Sequence, residues 1–192
     1  MVGVLRRRKA IPYCFYPKEK VMTAKEFNDC LRMIRDKDSR GMARFYKHYY
    51  KRLRTTVLAM IRDEDVAEDM ASDLMCRIFE NADKYGYIDN PNAWMYSAAK
   101  NAVVDYIRQN NIVIVDDEIV DNAICDPKLE RSLEFGEALS HFDRRVRMVL
   151  LLHYAYGYNY DEIADDLGIS LSTVKRDIIS SRSRLAFYLK NV

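Results

Sequence analysis

Apolar residues recur at helical spacing along most of this chain, and the pattern predicts a succession of amphipathic helices. Thr23 with Glu26 three residues on forms a capping-box arrangement, so a first helix starts there and carries Phe27, Leu31 and Ile34 on its buried side. Met42, Phe45, Tyr49, Leu53, Val57, Met60 and Ile61 mark a second. The acidic run Asp63 to Asp65 suits a third helix start, followed by Val66, Met70, Leu74 and Ile78. Tyr85 to Asn92, with Gly86, Asp89, Asn90 and Pro91, interrupts the pattern. Trp94, Ala98, Asn101, Val104 and Tyr106 then populate a helix ending near Arg108. After Gln109 the period dissolves into NNIVIVDDEIVDNAICDP, too acidic and broken for a core element, and it returns with Leu133, Leu139, Val146, Val149, Leu150 and Leu152. The expected fold is all-α: two small helical domains joined by an acidic linker. Their limits read as a basic irregular tail 1-22, a first domain 23-109, a linker 110-130 and a second domain 131-192.

The second domain ends in YDEIADDLGISLSTVKRDII, Tyr160 to Ile179. Ile163, Ala164 and Leu167 give a short first helix an apolar stripe, and Gly168 lets the chain reverse. Ser170 caps the next helix, with Ile169 and Val174 placed to close as a hydrophobic staple. This is the pattern of a helix-turn-helix, whose second helix lies in the DNA major groove. The candidate contacts are Ser172, Thr173, Lys175 and Arg176 near its start, with Arg182 and Arg184 further along. A helical hairpin in a bundle would use the same small and apolar positions. Asp177 within that helix should point to the protein, accept from a cytosine amino group, or pair with a neighbouring cation.

Composition changes this picture in two places. The 192 residues are 49% hydrophobic, ample for packed cores, while a formal charge of +2 provides no overall field toward nucleic acid. Charge is instead segregated. Arg6, Arg7, Arg8, Lys9, Lys18 and Lys20 crowd the start, and Asp116, Asp117, Glu118, Asp121, Asp126, Glu130, Glu134 and Glu137 crowd the middle. Cys14, Cys30, Cys76 and Cys125 are scattered without CxxC or His at ligand spacing, which supports neither a zinc site nor a disulfide framework. Reduced thiols in the cytoplasm, no metal and no cofactor are the expectation. The basic start runs into Pro12, Tyr13, Tyr16 and Pro17 instead of an apolar core, so it is not read as a secretory signal, and no window suits a membrane span.

The segments AEDMASDLMCRIF, Ala67 to Phe79, and NPNAWMYSAAKNAVVDYIRQ, Asn90 to Gln109, stand before RMVLLLHYAYGYNYDEIADDLGISLSTVKRDIISSRSRL, Arg147 to Leu185. In this order they resemble the two conserved domains of extracytoplasmic-function (ECF) sigma factors of the sigma-70 family. The resemblance implies a protein without catalytic activity that binds core RNA polymerase and directs promoter-specific transcription initiation in the cytoplasm. It implies polymerase contacts at Asp69, Ser72, Asp73, Met75 and Arg77. Contacts to the -10 element and the melted strand would fall at Tyr85, Asn90, Asn92, Trp94, Tyr96, Lys100, Asn101 and Arg108, and the helix after Ser170 would read the -35 element. An anti-sigma factor is a further implied partner.

The residues support parts of this without the family. Asn101, Asp105 and Arg108 recur at helical spacing, and Trp94 and Tyr96 offer flat surfaces on which unpaired bases could stack, worth about 1 to 3 kcal/mol per base. Trp94 as core and Asp105 with Arg108 as a surface ion pair is the competing reading. The chain departs from the family at Ser72, where Gln is usual, and at Met75, where Phe is usual. His141 and Phe142 replace a common Leu-Pro. Two other functions fit the same residues: a helix-turn-helix repressor or activator acting without polymerase, and a helical protein-interaction module.

Overall fold

A computed structural model describes residues 22–110 and 135–189, all of whose regular structure is helical. The tail 1–21 and residues 111–134, which include nearly all of the expected linker, lie outside the described residues, as do 190–192. Helix α1 spans Ala24–Arg35, and its capping box forms as expected: the Glu26 amide donates to Thr23 Oγ1 at 3.2 Å, and the Thr23 amide donates to Glu26 Oε2 at 2.9 Å. Helix α2 runs Ser39–Ile61, and α3 follows at Glu64–Glu80 after Asp63 caps it through the Val66 amide. Between α1 and α2 the backbones approach so closely at Gly41 that an added Cβ would lie 2.5 Å from Met33 Cβ.

A 3-10 turn at Ala82–Lys84 leads into the interrupted segment, and α4 spans Pro91–Gln109. It begins earlier than the periodicity suggested, because Asn90 is its N-cap and Pro91, with no amide hydrogen to leave unpaired, occupies the first turn. The apolar run after residue 133 proves to be two helices, α5 at Phe135–Ser140 and α6 at Arg144–Tyr156, separated by the turn whose Asp143 caps α6. Helix α7, Tyr160–Leu167, and α8, Leu171–Tyr188, complete the chain. Gly168 between them adopts φ 64°, the left-handed conformation that ends α7 without a Cβ clash.

Two modules are visible, α1 to α4 and α5 to α8, but they do not stand apart. One continuous apolar cluster runs from Phe27, Phe45 and Tyr49 through Tyr96 to Leu150, Ile163 and Val174. The shared element is α2, which carries α1, α3 and α4 against one part of its surface and α5 and α6 against another.

Polar groups fasten the junction. Tyr156 Oη lies 2.6 Å from Thr56 Oγ1, whose own proton goes to the Arg52 carbonyl, so the tyrosine is the donor between modules. The guanidinium of Arg147, 1% exposed, donates from Nε to the Ala59 carbonyl at 2.6 Å and from Nη1 to the Phe142 carbonyl at 3.2 Å. Ala59 lies in the last turn of α2, where carbonyls lack helical partners and the dipole favours a cation. Arg62 reaches across in the other direction to the Ser140 carbonyl at 2.6 Å.

Candidate nucleic-acid and polymerase interfaces

Helix α8 is set by its cap and by an ion pair whose carboxylate is buried. Ser170 Oγ accepts from the Thr173 amide at 3.2 Å, fixing where the helix starts. Val174 is fully buried, and Ile169, half-buried, packs against the same cluster. Asp177, 3% exposed, turns inward and accepts from Arg145 Nε of α6 at 2.9 Å, which raises the arginine above its ordinary pKa. Of the three roles open to Asp177 in sequence, the structure shows two together: it faces the protein and it pairs with a cation. Its inward position leaves Ser172, Lys175 and Arg176 exposed on the outer face, with Thr173 and Arg182 half-buried. The other Asp177 oxygen lies 3.6 Å from Arg176 Nε, so the carboxylate is shared between Arg145 and Arg176 while the Lys175 and Arg176 side chains stay solvent-facing. Arg184 is exposed, but its Nη2 donates to the His141 carbonyl at 3.0 Å and its guanidinium lies 5.1 Å from the Phe142 ring centre, so it also clamps α8 to the turn before α6.

The segment before α4 is pinned from a distance. Asn28 of α1 donates to the Ile88 carbonyl at 2.9 Å and accepts from the Ile88 amide at 3.0 Å, holding both backbone groups of that residue. Tyr87 beside it is 66% exposed, an aromatic surface absent from the sequence-derived site. Its signal was available, since it sits between Gly86 and Asp89 in the same interruption. Asn28 had no such signal, being 60 residues away. Tyr85 is half-buried and meets Trp94 edge-on with centroids 5.0 Å apart, while Trp94 also packs on Phe27 at 5.8 Å. Trp94 is therefore partly core and partly accessible. Asn90 spends its side-chain oxygen on the Ala93 amide as a cap.

Along α4, Asn101 and Arg108 are exposed, and Arg108 lies 3.6 Å from Asp105 in a solvent-facing pair. Tyr96 requires a correction. It is 1% exposed, lodged between Tyr156 and Tyr158 with centroids at 5.3 and 6.0 Å, so it offers no stacking surface while the modules are docked. Its hydroxyl donates to Asp166 Oδ2 of α7 at 3.1 Å, and Lys100 Nζ lies 3.2 Å from both oxygens of that carboxylate. Burial, then the Asp166 charge, pushes the Tyr96 phenol well above its ordinary pKa. Asn92 is engaged too, donating to the Tyr156 carbonyl at 3.2 Å. Three candidate strand-contacting residues are thus held by the C-terminal module.

On α3 the exposed face carries Asp69, Ser72, Asp73, Cys76 and Arg77, with Asp73 and Arg77 paired at 2.6 Å. Ser72 Oγ is 3.5 Å from Tyr50 Oη. Met75 is corrected from a surface contact to a core residue: it is 1% exposed, because α3 packs on both α2 and α4 and its buried arc widens to include Leu74, Met75 and Ile78.

Comparison with known proteins turns this geometry into a family. The family description "Sigma-70 region 2" matches residues 45–112, and "Sigma-70, region 4" matches residues 132–185. The chain belongs to the ECF class of the sigma-70 family. It is 27% identical over 157 residues to the ECF RNA polymerase sigma factor SigM of Bacillus subtilis, covering 77% of this chain and 94% of SigM. To SigK of Mycobacterium ulcerans it is 25% identical, covering 78% of this chain and 86% of that protein. Among solved structures, the sigma factor RpoE in complex with the anti-sigma factor NepR from Bartonella quintana aligns with a TM-score of 0.48 at 21% identity, over 77% of this chain and 96% of that one. CnrH in complex with the cytosolic domain of CnrY aligns with a TM-score of 0.49 at 15% identity, over 85% and 97%. In sigma-70 terms, α4 lies within region 2, and α7 with all but the last three residues of α8 lies within region 4.

Proposed function

We propose that this chain binds core RNA polymerase and directs promoter-specific initiation, with α8 reading the upstream promoter element and the 85–92 segment with α4 engaging the downstream one. The observation that carries this reading is the phase of α8. The Asp177–Arg145 pair and the Ser170 cap turn Ser172, Lys175 and Arg176 outward in the first turns of a helix-turn-helix second helix, the part that meets base edges in the major groove. The acidic, solvent-facing side of α3 is assigned to polymerase. The proposed domain limits remain 23-109 and 131-192. Sigma-70 proteins are transcription regulators and not enzymes, and the protein acts in the cytoplasm alongside polymerase; no helix among the described residues is long and apolar enough to cross a membrane. An anti-sigma factor that holds the two modules in their docked arrangement is the expected regulator.

Replacing Lys175 and Arg176 together with Ala tests the assignment. Holoenzyme reconstituted with core polymerase should form normally, bind the mapped promoter more weakly, and lose about one unit of salt slope for each phosphate contact removed. Unchanged promoter activity refutes it. Co-purification separates the competing functions, because a repressor binds duplex DNA without polymerase and an interaction module binds neither.

A further inference from the structure

Ile179 is 73% exposed, more than any other large hydrophobic residue among those described. It is not a stray edge of the amphipathic stripe. The buried side of α8 is accounted for by Val174, Asp177, Ile178, Ser181 and Leu185, and Ile179 falls on the opposite face. There it lies one turn beyond Lys175 and Arg176 and two beyond Ser172, about 10 Å along the axis from the latter at 1.5 Å per residue. Ser180 and Ser183, both exposed and short, leave it protruding. A β-branched side chain in an exposed helix interior gains no packing and is a weaker helix former than Ala, so the fold itself gives no reason for it.

The groove does give one. A helix in the major groove meets donors and acceptors from every base, but a single apolar group, the C5-methyl of thymine. We propose that Ile179 reads a thymine methyl in the upstream promoter element, a specificity contact additional to the cationic ones. The inference rests on the reading of α8 as the promoter-binding helix. It assigns Lys175 and Arg176 to salt-dependent attraction and Ile179 to a salt-independent choice between thymine and the other bases.

The test uses holoenzyme made with the full chain and a duplex carrying the mapped promoter, in which each thymine of the upstream element is replaced singly by deoxyuridine. Deoxyuridine keeps the pairing edge and the O4 acceptor and lacks only the methyl. One such replacement should weaken the wild type about fourfold, the affinity equivalent of one buried methyl-sized group. Ile179→Ala should bind the thymine duplex more weakly by a similar factor and be indifferent to that same replacement. The Lys175→Ala/Arg176→Ala variant should bind more weakly at every position yet keep the deoxyuridine penalty. Ile179→Ala retaining the wild-type penalty, or no thymine mattering to the wild type, overturns the inference. If instead the Lys175→Ala/Arg176→Ala variant binds like the wild type, the assignment of α8 itself fails.

Discussion

Asp166 is the residue on which the docking of the two modules can best be tested. It sits on α7, yet its carboxylate serves α4, accepting from Tyr96 Oη at 3.1 Å and from Lys100 Nζ at 3.2 Å through both oxygens. The two bonds differ in worth. Lys100 and Asp166 side chains are 41% and 26% exposed, so their ion pair is screened and contributes under about 1 kcal/mol. Tyr96 is buried, and replacing Asp166 with Ala leaves its hydroxyl without this acceptor inside the docked junction, a cost of about 1 to 3 kcal/mol. Separation of the modules returns that hydroxyl to water. The substitution should therefore shift the docking equilibrium by about 2 kcal/mol, on the order of 30-fold, while leaving each module folded. Asp166→Asn keeps one acceptor and should show a smaller effect.

Dyes on Cys76, exposed on α3, and on a cysteine introduced at Ser183 of α8, with the other cysteines replaced by Ala, report the separation. Their distance is followed against urea below the unfolding transition. Asp166→Ala should open at lower urea than its parent, and its free form should bind a single-stranded promoter oligonucleotide more tightly, because Lys100 and Tyr96 are released. An opening midpoint identical to the parent's, with unchanged single-strand affinity, refutes the argument that this carboxylate holds Tyr96 and Lys100, the candidate strand contacts, in the docked junction.

Acid should loosen the packing of α8 on the turn before α6 through His141, which stacks on Tyr188 at 4.1 Å and whose pKa is lowered by burial and then by Arg184 and Arg62. Because the unfolded chain takes up the proton near pH 6.5 and the folded one resists it, stability is present above that pH and falls as pH drops below it; the decline in Tm should be shallower in His141→Asn. Gly41→Ala should lower stability by about 1 to 3 kcal/mol in chemical denaturation, since its Cβ would lie 2.5 Å from Met33 Cβ and the α1–α2 contact would have to widen.

Features coded within one turn of chain were legible in the sequence. The Thr23–Glu26 box, the Asp63 start and the Gly168–Ser170 turn all appear where the spacing put them, because caps and left-handed turns depend on neighbours three or four residues away. Asn159 with Glu162 forms a capping box of the same kind, readable by the same rule. Met75 was placed on the docking face by the family resemblance, whereas contact of α3 with α2 and α4 together widens its buried arc to include it. Tyr96 was misplaced for a different reason: an aromatic ring with a polar tip suits a wet surface and a satisfied interior equally, and the acceptor that settles the matter lies 70 residues away.

The docking of the modules follows from the same distinction. Arg147 looked like a basic residue at the head of an apolar run, and nothing within α6 calls for a buried guanidinium. Its reason is the end of α2, where the Ala59 carbonyl needs a donor, and the Phe142 carbonyl needs another beside it. A planar group with several fixed donors can serve both at once, which a lysine at the same position would do poorly. The α2 terminus is thus finished by the other module, just as Tyr96 and Asn92 find partners on α7 and at the end of α6. Groups that would be left unsatisfied in a dry junction can be hydrated when the modules part, so each bond adds only a small net preference for the docked state. An interface held by such bonds can open without stranding buried polar groups, which access of polymerase and DNA to the facing surfaces of α4 and α7 would require.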